Sequence, residues 1–318
     1  MRLLILCLSI WAASAAAAMA GTDMEALLEF GRGIRQDSSG HRATPWNPTS
    51  ALDSDGCPLD WHGVQCSNGQ ILSIAFDGAG LVGNVSLSAL ASMPMLQNLS
   101  LSNNKLVGVL PRDLGSMTSL QLLDLSNNMF SGQIPAELTK LANLGHLNLS
   151  SNGFGGALPL GLRNLRKLKY LDLRGNGFTG KLDDIFAELQ SPVHVDLSCN
   201  RFSGSLISIS DNSSVVSTLQ YLNVSHNMLA GALFESDPMP LFDSLEVFDA
   251  SYNMLEGNIP PFNFVISLKV LRLQNNNFSG SIPEALFRQT SMVLTELDLS
   301  CNQLTGKSVL LLSIACFS

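Results

Sequence analysis

The sequence predicts an α/β solenoid: a curved right-handed superhelix with a parallel β-sheet on its concave face. Residues 120–143, LQLLDLSNNMFSGQIPAELTKLAN, are followed at once by a second copy of the same pattern, LGHLNLSSNGFGGALPLGLRNLRK. Ten such copies succeed one another at spacings of 23 to 27 residues, and nine of them carry Asn at the ninth position. This self-similarity is typical of stacked units, because each unit buries its apolar face only against its neighbours.

The repeated pattern is that of a leucine-rich repeat, L-x-x-L-x-L-x-x-N-x-L/F-x-G-x-I/L-P-x-x-L-x-x-L-x-x, and positions are counted from its first residue. About ten repeats span residues 71–306, beginning at Ile71, Leu96, Leu120, Leu144, Leu168, Pro192, Leu219, Leu245, Leu268 and Leu294. The ninth position of the last nine repeats is held by Asn104, Asn128, Asn152, Asn176, Asn200, Asn227, Asn253, Asn276 and Asn302.

Each position of the pattern predicts a structural role. Apolar residues alternate in L-x-x-L-x-L, which indicates a short strand whose Leu side chains point inward while the intervening side chains face solvent. The Asn follows where the chain turns away, and its buried amide is expected to bond the backbone of its own and the adjacent repeat. The Gly at position 13 permits backbone conformations that a Cβ resists. The Ile-Pro pair after it favours an extended segment.

Residues 1–20 are predicted to be a secretory signal peptide. Arg2 supplies the positive start, residues 3–10 are apolar, and residues 18–20 read Ala-Met-Ala, a small-x-small cleavage site. The apolar stretch is too short for a membrane anchor. The mature chain is therefore expected to begin at Gly21 and to travel through the secretory pathway.

Residues 21–70 are predicted to form an N-terminal cap over the open end of the first repeat. Residues 23–36 carry an apolar stripe at helical spacing, and Asp23 stands where it can cap that helix. Trp46 and Trp61 are expected to cover the apolar end of the stack.

Four cysteines of the mature chain bear on stability. Cys57 and Cys66 lie close together in a chain predicted to be secreted, which favours a disulfide that staples the cap. A metal site formed by Cys57, His62 and Cys66 is the alternative, but the spacing does not suit zinc and the compartment is oxidising. Cys199 and Cys301 share position eight about four repeats apart, so they are too distant to pair and are expected to be free, half-buried thiols.

Six N-x-S sequons predict N-linked glycosylation in a secreted chain. The alternative is that the motif arises from the repeat's own frequent use of Asn and Ser. The candidate acceptors are Asn84, Asn98, Asn148, Asn212, Asn223 and Asn277.

Composition and motifs argue against nucleic-acid binding and against catalysis. The net charge is −8, and only 14% of the residues are charged, so a groove that tracks phosphates is not expected. The sequence contains no phosphate-binding loop, no nucleophile elbow, no H-E-x-x-H motif and none of the kinase motifs. We therefore predict a protein without enzymatic activity, cofactor or metal.

The solvent-facing positions of the strands form the candidate ligand face. Position three of several successive repeats carries His or Tyr, and position five beside it carries mostly Asp and Asn. Aromatic and Arg side chains on such a surface resemble binding hot spots. The alternative is that this wording is simply common to the repeat, and glycans on Asn148 or Asn223 would argue against a ligand face. The candidate residues are His146, Tyr170, Arg174, His194, Tyr221, Tyr252 and Arg272.

Four stretches carry a resemblance to a known family: EALLEFGRGI, PWN, CPLDWHGVQC and the plant-type LxxLxLSxNxLxGxIP. Over residues 23–306 the chain resembles the ectodomain of plant leucine-rich-repeat receptor-like kinases, and the wording of its cap resembles those whose kinase domain is often catalytically atypical. The resemblance implies further repeats, a second cysteine-paired cap, a membrane span and a kinase.

The last residues depart from that pattern. Residues 307–318, KSVLLLSIACFS, form a hydrophobic tail outside the repeats, too short to span a bilayer. We interpret the chain as a truncated or alternatively spliced product, or as an erroneous gene end.

Two functions are consistent with these features. The first is an extracellular recognition module of the receptor-kinase type, which binds a peptide, a cell-wall fragment or a co-receptor ectodomain in the apoplast, or at the plasma membrane in full-length relatives. The second is a secreted inhibitor of a cell-wall-degrading enzyme, similar to plant polygalacturonase inhibitors. Such inhibitors end in a cysteine-paired cap that this sequence lacks, which favours the first function.

Overall fold

The computed structural model describes residues 23–37, 46, 49–186, 188–189, 192–206, 218–233, 244–262, 265–288 and 294–306. The predicted signal peptide, the predicted tail and the sequon at Asn212 lie outside the described residues. The chain divides into two units, Met1–Gly153 and Phe154–Ser318.

The cap of the first unit begins with a helix, α1, over residues 23–32. The helix predicted to reach residue 36 ends earlier, and strand β1 (Ile34–Asp37) pairs antiparallel with β4 (Leu81–Asn84). The reason lies at Gly33, where a Cβ would stand 2.2 Å from the carbonyl oxygen of Asn84. Only glycine permits so close an approach, so the chain turns there into a strand.

Both sheets of the first unit are built from consecutive repeats. In the first sheet β2 and β3 are antiparallel and the later strands parallel: β2 (Val64–Ser67), β3 (Gln70–Ala75), β5 (Asn98–Ser100), β7 (Leu122–Asp124) and β9 (His146–Asn148). The second sheet runs from β1 and β4 to β6 (Lys105–Val109) and β8 (Met129–Gly132). Short 3-10 helices connect the sheets at Leu87–Ser92, Arg112–Ser116 and Ala136–Lys140.

The second unit repeats this arrangement with parallel strands only. Its first sheet contains β11 (Tyr170–Asp172), β13 (His194–Asp196), β15 (Tyr221–Asn223), β17 (Val247–Asp249), β19 (Val270–Arg272) and β21 (Glu296–Asp298). Its second sheet contains β10 (Gly153–Ala157), β12 (Gly177–Lys181), β14 (Arg201–Gly204), β16 (Met228–Ala232), β18 (Met254–Asn258), β20 (Asn277–Ser281) and β22 (Gln303–Thr305). Its helical segments are the 3-10 turn Leu162–Asn164, α2 (Leu182–Phe186) and α3 (Ala285–Arg288). The predicted leucine-rich-repeat solenoid fold is confirmed.

The second sheet was not predicted. Its strands cover positions 10 to 14, where the sequence offers a single inward apolar side chain, at position 11, followed by Gly. That side chain is buried in every repeat except the last, where Leu304 is half-buried, and in the second unit Phe154, Phe178 and Phe202 form a stacked column with ring centroids 6.3 and 6.4 Å apart. Packing between neighbouring repeats therefore forms a strand that the sequence pattern of a single repeat does not predict.

Asn128 shows how the ninth position holds the stack together. Its Nδ2 donates to the carbonyl oxygens of Leu125 (3.1 Å) and Ser126 (3.1 Å) in its own repeat and of Leu101 (2.9 Å) in the preceding one. Its Oδ1 accepts the backbone N–H of Leu106 at 3.0 Å. The predicted amide ladder is thus confirmed, and the same four-bond arrangement occurs at Asn104, Asn152, Asn200, Asn227, Asn253, Asn276 and Asn302.

The cap buries both predicted Trp residues. Trp46 and Trp61 lie with ring centroids 6.0 Å apart, and Trp46 also contacts Phe76 of the first repeat at 5.6 Å. The buried carboxylate of Asp23 accepts the backbone N–H of Ile71 at 2.9 Å, and burial raises its pKa. These contacts tie the N-terminal segment to the start of the repeats.

The cysteines follow the predictions only in part. Cys57 and Cys66 form the predicted disulfide, with Cα atoms 5.7 Å apart. Cys199 is free but exposed rather than half-buried. The prediction of a free thiol at Cys301 is wrong, because this residue is disulfide-bonded. The spacing argument excluded only its pairing with Cys199.

We expect Asn128→Ala to lower the free energy of unfolding by about 2 kcal/mol or more, because it removes four hydrogen bonds and leaves buried backbone groups unpaired. The neighbouring Asn127 is exposed and has a φ of 52°, which glycine adopts freely. Asn127→Gly is therefore the matched control and should change stability by no more than about 0.5 kcal/mol. Chemical denaturation of both variants measures the difference, and equal losses would contradict the role assigned to Asn128.

Candidate functional site

The first sheet of the second unit carries most of the predicted ligand face. In the first five of its strands the central residue is buried in the core, in β21 the central Leu297 is half-buried, and the two flanking residues, at positions three and five, lie on the other side of the sheet. The register aligns position three of each strand with position three of the next. That row reads Tyr170, His194, Tyr221, Val247, Val270 and Glu296.

Three rings of this row form a stacked column. The ring centroids of Tyr170 and His194 are 4.4 Å apart with an interplanar angle of 9°, and those of His194 and Tyr221 are 4.1 Å apart at 8°. The strand spacing imposes this distance, because side chains at matching positions stand about 4.8 Å apart. The faces of the inner rings cover one another, so the column offers ring edges, hydroxyl groups and ring nitrogens to a ligand.

The position-five row differs from the prediction. It was expected to be a solvent-facing row of Asp and Asn beside the aromatic residues, but Asp172, Asp196 and Asp249 are buried. The Oδ1 of each accepts the backbone N–H two residues on, at 3.0 Å. These carboxylates therefore hold the turn after each strand, in the way Asx turns do.

Tyr221 links the aromatic column to this carboxylate row. Its hydroxyl group lies 3.5 Å from Oδ2 of Asp196, and Nδ2 of Asn223 lies 3.5 Å from the same hydroxyl. Burial and then the charge of Asp196 raise the pKa of the Tyr221 phenol, so it stays protonated and can donate.

Beyond Tyr221 the row changes from large to small side chains. Val247 and Val270 occupy position three of the next two strands and are half-buried, and exposed Glu296 follows them. A valine side chain is shorter than a tyrosine side chain, so we expect the outer part of the Tyr221 ring to be uncovered on the side of Val247. We call the four aligned positions from Tyr221 to Glu296, with Val247 and Val270 between them, the valine notch.

The two predicted Arg residues are not isolated cations. Arg272 donates from Nε and Nη2 to the two carboxylate oxygens of Glu296, at 2.6 and 3.0 Å, and its Nη1 lies 3.6 Å from Asp249. Arg174 lies 3.9 Å from Asp172. Hydrogen bonding to Glu296 raises the pKa of Arg272 further above its usual value. An ion-paired cluster therefore lies at the Glu296 end of the notch.

Tyr252 belongs to a second stack, apart from the position-three row. It stacks on His226, with centroids 4.1 Å apart, and both residues stand at position eight with φ of 53°. His226 was absent from the predicted ligand face. The backbone is left-handed at position eight in most repeats, and the only sequence signal for this was the Asn found there in three of them. The residues with positive φ at this position are Asn103, Asn127, Ser151, Cys199, His226, Tyr252, Asn275 and Cys301.

His146 lies in the first unit, on β9, and is half-buried. Burial lowers the pKa of its imidazole, and the charge of Asp124 partly opposes that shift.

The described sequons differ in how their Asn side chains are engaged. Asn148 donates to Asp124 at 3.2 Å and accepts from the backbone and hydroxyl of Ser150. Asn223 accepts the backbone N–H of Ser225. Asn84 and Asn277 are exposed on strands of the second sheets, whereas Asn98 is half-buried. Occupancy of these sequons remains a prediction.

Among the residues that the structure describes, no group of three or more His, Cys, Asp or Glu side chains is placed to hold a metal ion. No helix in that part of the chain has the length and apolar character needed to cross a membrane.

Family models for leucine-rich repeats match the chain at residues 94–154, 167–189, 267–288 and 290–313. A "Probable inactive receptor kinase" of Arabidopsis thaliana is 49% identical over 91% of this chain, which covers 30% of that relative. The chain spans less than a third of the length of the curated relatives it matches.

Solved structures of plant receptor-kinase ectodomains share the fold. The ectodomain of GASSHO1/SCHENGEN3 from Arabidopsis thaliana, in complex with CASPARIAN STRIP INTEGRITY FACTOR 2, has a TM-score of 0.75 and 29% identity, over 90% of this chain and 33% of that one. The Arabidopsis receptor kinase HAESA, in complex with the peptide hormone IDA and the co-receptor SERK1, has a TM-score of 0.63 and 30% identity, over 70% of this chain and 36% of that one.

The lowered pKa of His146 predicts a stability that falls with acidification. Between its folded pKa and the ordinary value of 6.5 the unfolded chain binds more protons than the folded chain, so stability declines as pH is lowered through that window. We expect His146→Gln to reduce the loss of Tm between pH 7.5 and pH 5. Thermal unfolding at both pH values tests this, and an unchanged loss would contradict it.

Proposed function

The chain is built from leucine-rich repeats and is similar to the ectodomains of plant receptor kinases, and on that premise we propose that it is an extracellular, non-enzymatic recognition module that binds an extended peptide. The proposed binding site is the first sheet of the second unit, from the aromatic column to the valine notch. The observation that carries the proposal is the abrupt change in the position-three row, from stacked Tyr and His to two Val.

The dimensions of the notch suit a peptide. Three strand intervals separate Tyr221 from Glu296, which at about 4.8 Å per interval is about 14 Å. An extended chain rises about 3.3 Å per residue, so about four peptide residues bridge the notch. One apolar side chain of such a peptide can rest on Val247 and Val270 against the Tyr221 ring, while the backbone meets polar groups at the rim.

The charges around the site favour a basic peptide. The flanking positions of the six strands and their following turns carry five carboxylates, on Asp172, Asp196, Asp249, Glu296 and Asp298, but only the two guanidinium groups of Arg174 and Arg272. The excess of three negative charges attracts a Lys or Arg side chain. Glu296 is the most accessible of these acids, because its residue is exposed whereas Asp172, Asp196 and Asp249 are buried.

A cell-wall carbohydrate is less well matched to this surface. Sugars stack on open aromatic faces, and the faces between Tyr170, His194 and Tyr221 are occupied by the neighbouring rings, so the Tyr221 face toward Val247 offers a sugar a single ring rather than a platform. The inhibitor alternative is also less favoured, because the relatives and structures described above are receptor kinases and receptor ectodomains.

The proposal places the chain in the secretory pathway and in the apoplast. Arrival there depends on the predicted signal peptide. In a receptor of this type the bound peptide would promote pairing with a co-receptor ectodomain, as the HAESA complex contains both a peptide hormone and a co-receptor.

Two mixtures of synthetic ten-residue peptides test the site directly. Both hold a central Leu; one places Lys two residues later and the other places Glu there. We expect the chain to bind the Lys mixture about tenfold more tightly, equivalent to about 1.4 kcal/mol. We expect Tyr221→Ala and Val247→Lys to abolish that preference, since the first removes the wall of the notch and the second puts a positive charge on its floor.

Met228→Ala is the matched control, because Met228 is exposed on the second sheet of the same unit. It should bind both mixtures as the unaltered chain does, and circular dichroism should show all variants folded. Equal binding of the two mixtures by the unaltered chain, or a loss in Met228→Ala as large as in Val247→Lys, would refute the proposed site.

A further inference from the structure

The second sheet of the first unit presents an apolar patch to solvent beside a sequon. Val107 and Val109 on β6 are 41% and 56% exposed, and Met129 on β8 is 51% exposed. The register aligns Asn84 with Val107 and Val107 with Met129. Asn84 therefore stands on the same face as these side chains, at about one strand interval of 4.8 Å from Val107.

A groove of about 480 Å³ lies at this patch. Asn84 itself lines the groove, together with the chain that follows it through Ser88, with residues 107–109 and with Ser131. The segment after Asn84 is held beside β6 by the hydrogen bond from the Val85 N–H to the Val107 carbonyl oxygen, 3.0 Å long. The lining combines valine side chains with serine hydroxyls, a mixture that suits a ligand with both apolar and polar surfaces.

We propose that the groove is the seat of the N-glycan attached to Asn84, whose first two N-acetylglucosamine units pack over Val107 and Val109. A sugar ring of this kind has an apolar face for the valines, and its hydroxyl and acetamido groups can bond Ser86 and Ser131. The attachment residue is exposed and belongs to the sequon Asn-Val-Ser. The glycan is the one occupant whose position the chain itself fixes, because its covalent bond begins inside the groove.

The seated glycan has a structural consequence. It covers an apolar area that would otherwise remain open to other proteins or to aggregation. It also adds a contact across β4 and β6, next to the cap. Removing it should therefore destabilise the folded chain and expose the valines.

Asn277 provides an internal comparison. It is also exposed on a strand of a second sheet and belongs to a sequon, Asn-Phe-Ser. Its cross-strand neighbour is Glu256, an exposed carboxylate, rather than a valine. A glycan on Asn277 should extend into solvent and contribute little to stability.

The test uses the full chain secreted from a plant-cell host, with glycopeptide mass spectrometry to establish occupancy at Asn84. We expect Asn84→Gln to lower Tm by about 2–4 °C, as loss of one favourable contact does in a unit of this size, and to increase binding of a hydrophobic dye. Asn277→Gln should change neither measurement. Trimming the glycan to its first two sugars should preserve most of the stabilisation.

A double-mutant cycle separates a seated glycan from a general effect of glycosylation. Val107→Thr keeps the branched side-chain shape, so in the Asn84→Gln background it should leave Tm nearly unchanged, whereas in the glycosylated chain it should lower Tm. Glu256→Thr with Asn277→Gln is the matched cycle and should be additive. An unoccupied Asn84, or additive effects of Asn84→Gln and Val107→Thr, would overturn the proposal.

Discussion

The amide of the ninth-position Asn is the interaction on which the rest of the structure depends. Its Nδ2 donates to carbonyl groups of its own and the preceding repeat, and its Oδ1 accepts a backbone N–H from the preceding repeat, as at Asn128. The chain turns at this point between two short strands, where backbone groups would otherwise be buried without partners. One Asn side chain per repeat thus pairs the buried backbone groups at the turn, and the core itself is filled by leucine side chains.

That division of labour explains why the candidate site lies where it does. The core positions and the Asn are fixed by stacking and the position-five Asp side chains hold the turns, so positions three and eight are the ones left free to vary. The strands hold position-three side chains one above another, which forces Tyr170, His194 and Tyr221 into a column and makes the step to Val247 a sharp one. Position eight is held in a left-handed conformation, and this sets the separate stack of His226 and Tyr252.

Much of the fold could be predicted because the same residue pattern recurs in every repeat. The strands at positions three to five, the Asn ladder and the Cys57–Cys66 disulfide all follow from local spacing. The second sheet could not be predicted, because its strands exist only when neighbouring repeats pack. The early end of α1 depends on a backbone contact between Gly33 and Asn84, which are far apart in the sequence.

The candidate site was predictable in its residues but not in its chemistry. Periodicity alone placed the Tyr and His of the column on one face. It did not show that Asp196 and Asp249 serve the turns that follow them, or that Arg272 is paired with Glu296 of the next repeat. Opposite charges in adjacent rows were the available signal for that ion pair. The pair was not predicted because Arg272 and Glu296 belong to different repeats and are far apart in the sequence.

Residue-resolved native-state hydrogen exchange tests the primacy of the Asn ladder most directly. The amides that donate to Asn Oδ1 atoms, including those of Leu106, Phe130, Phe178 and Phe202, should belong to the slowest-exchanging set, with protection close to that set by global unfolding. If these amides instead exchanged as fast as those of the exposed loop at residues 53–55, the result would contradict the claim that the Asn hydrogen bonds stabilise the stacked repeats.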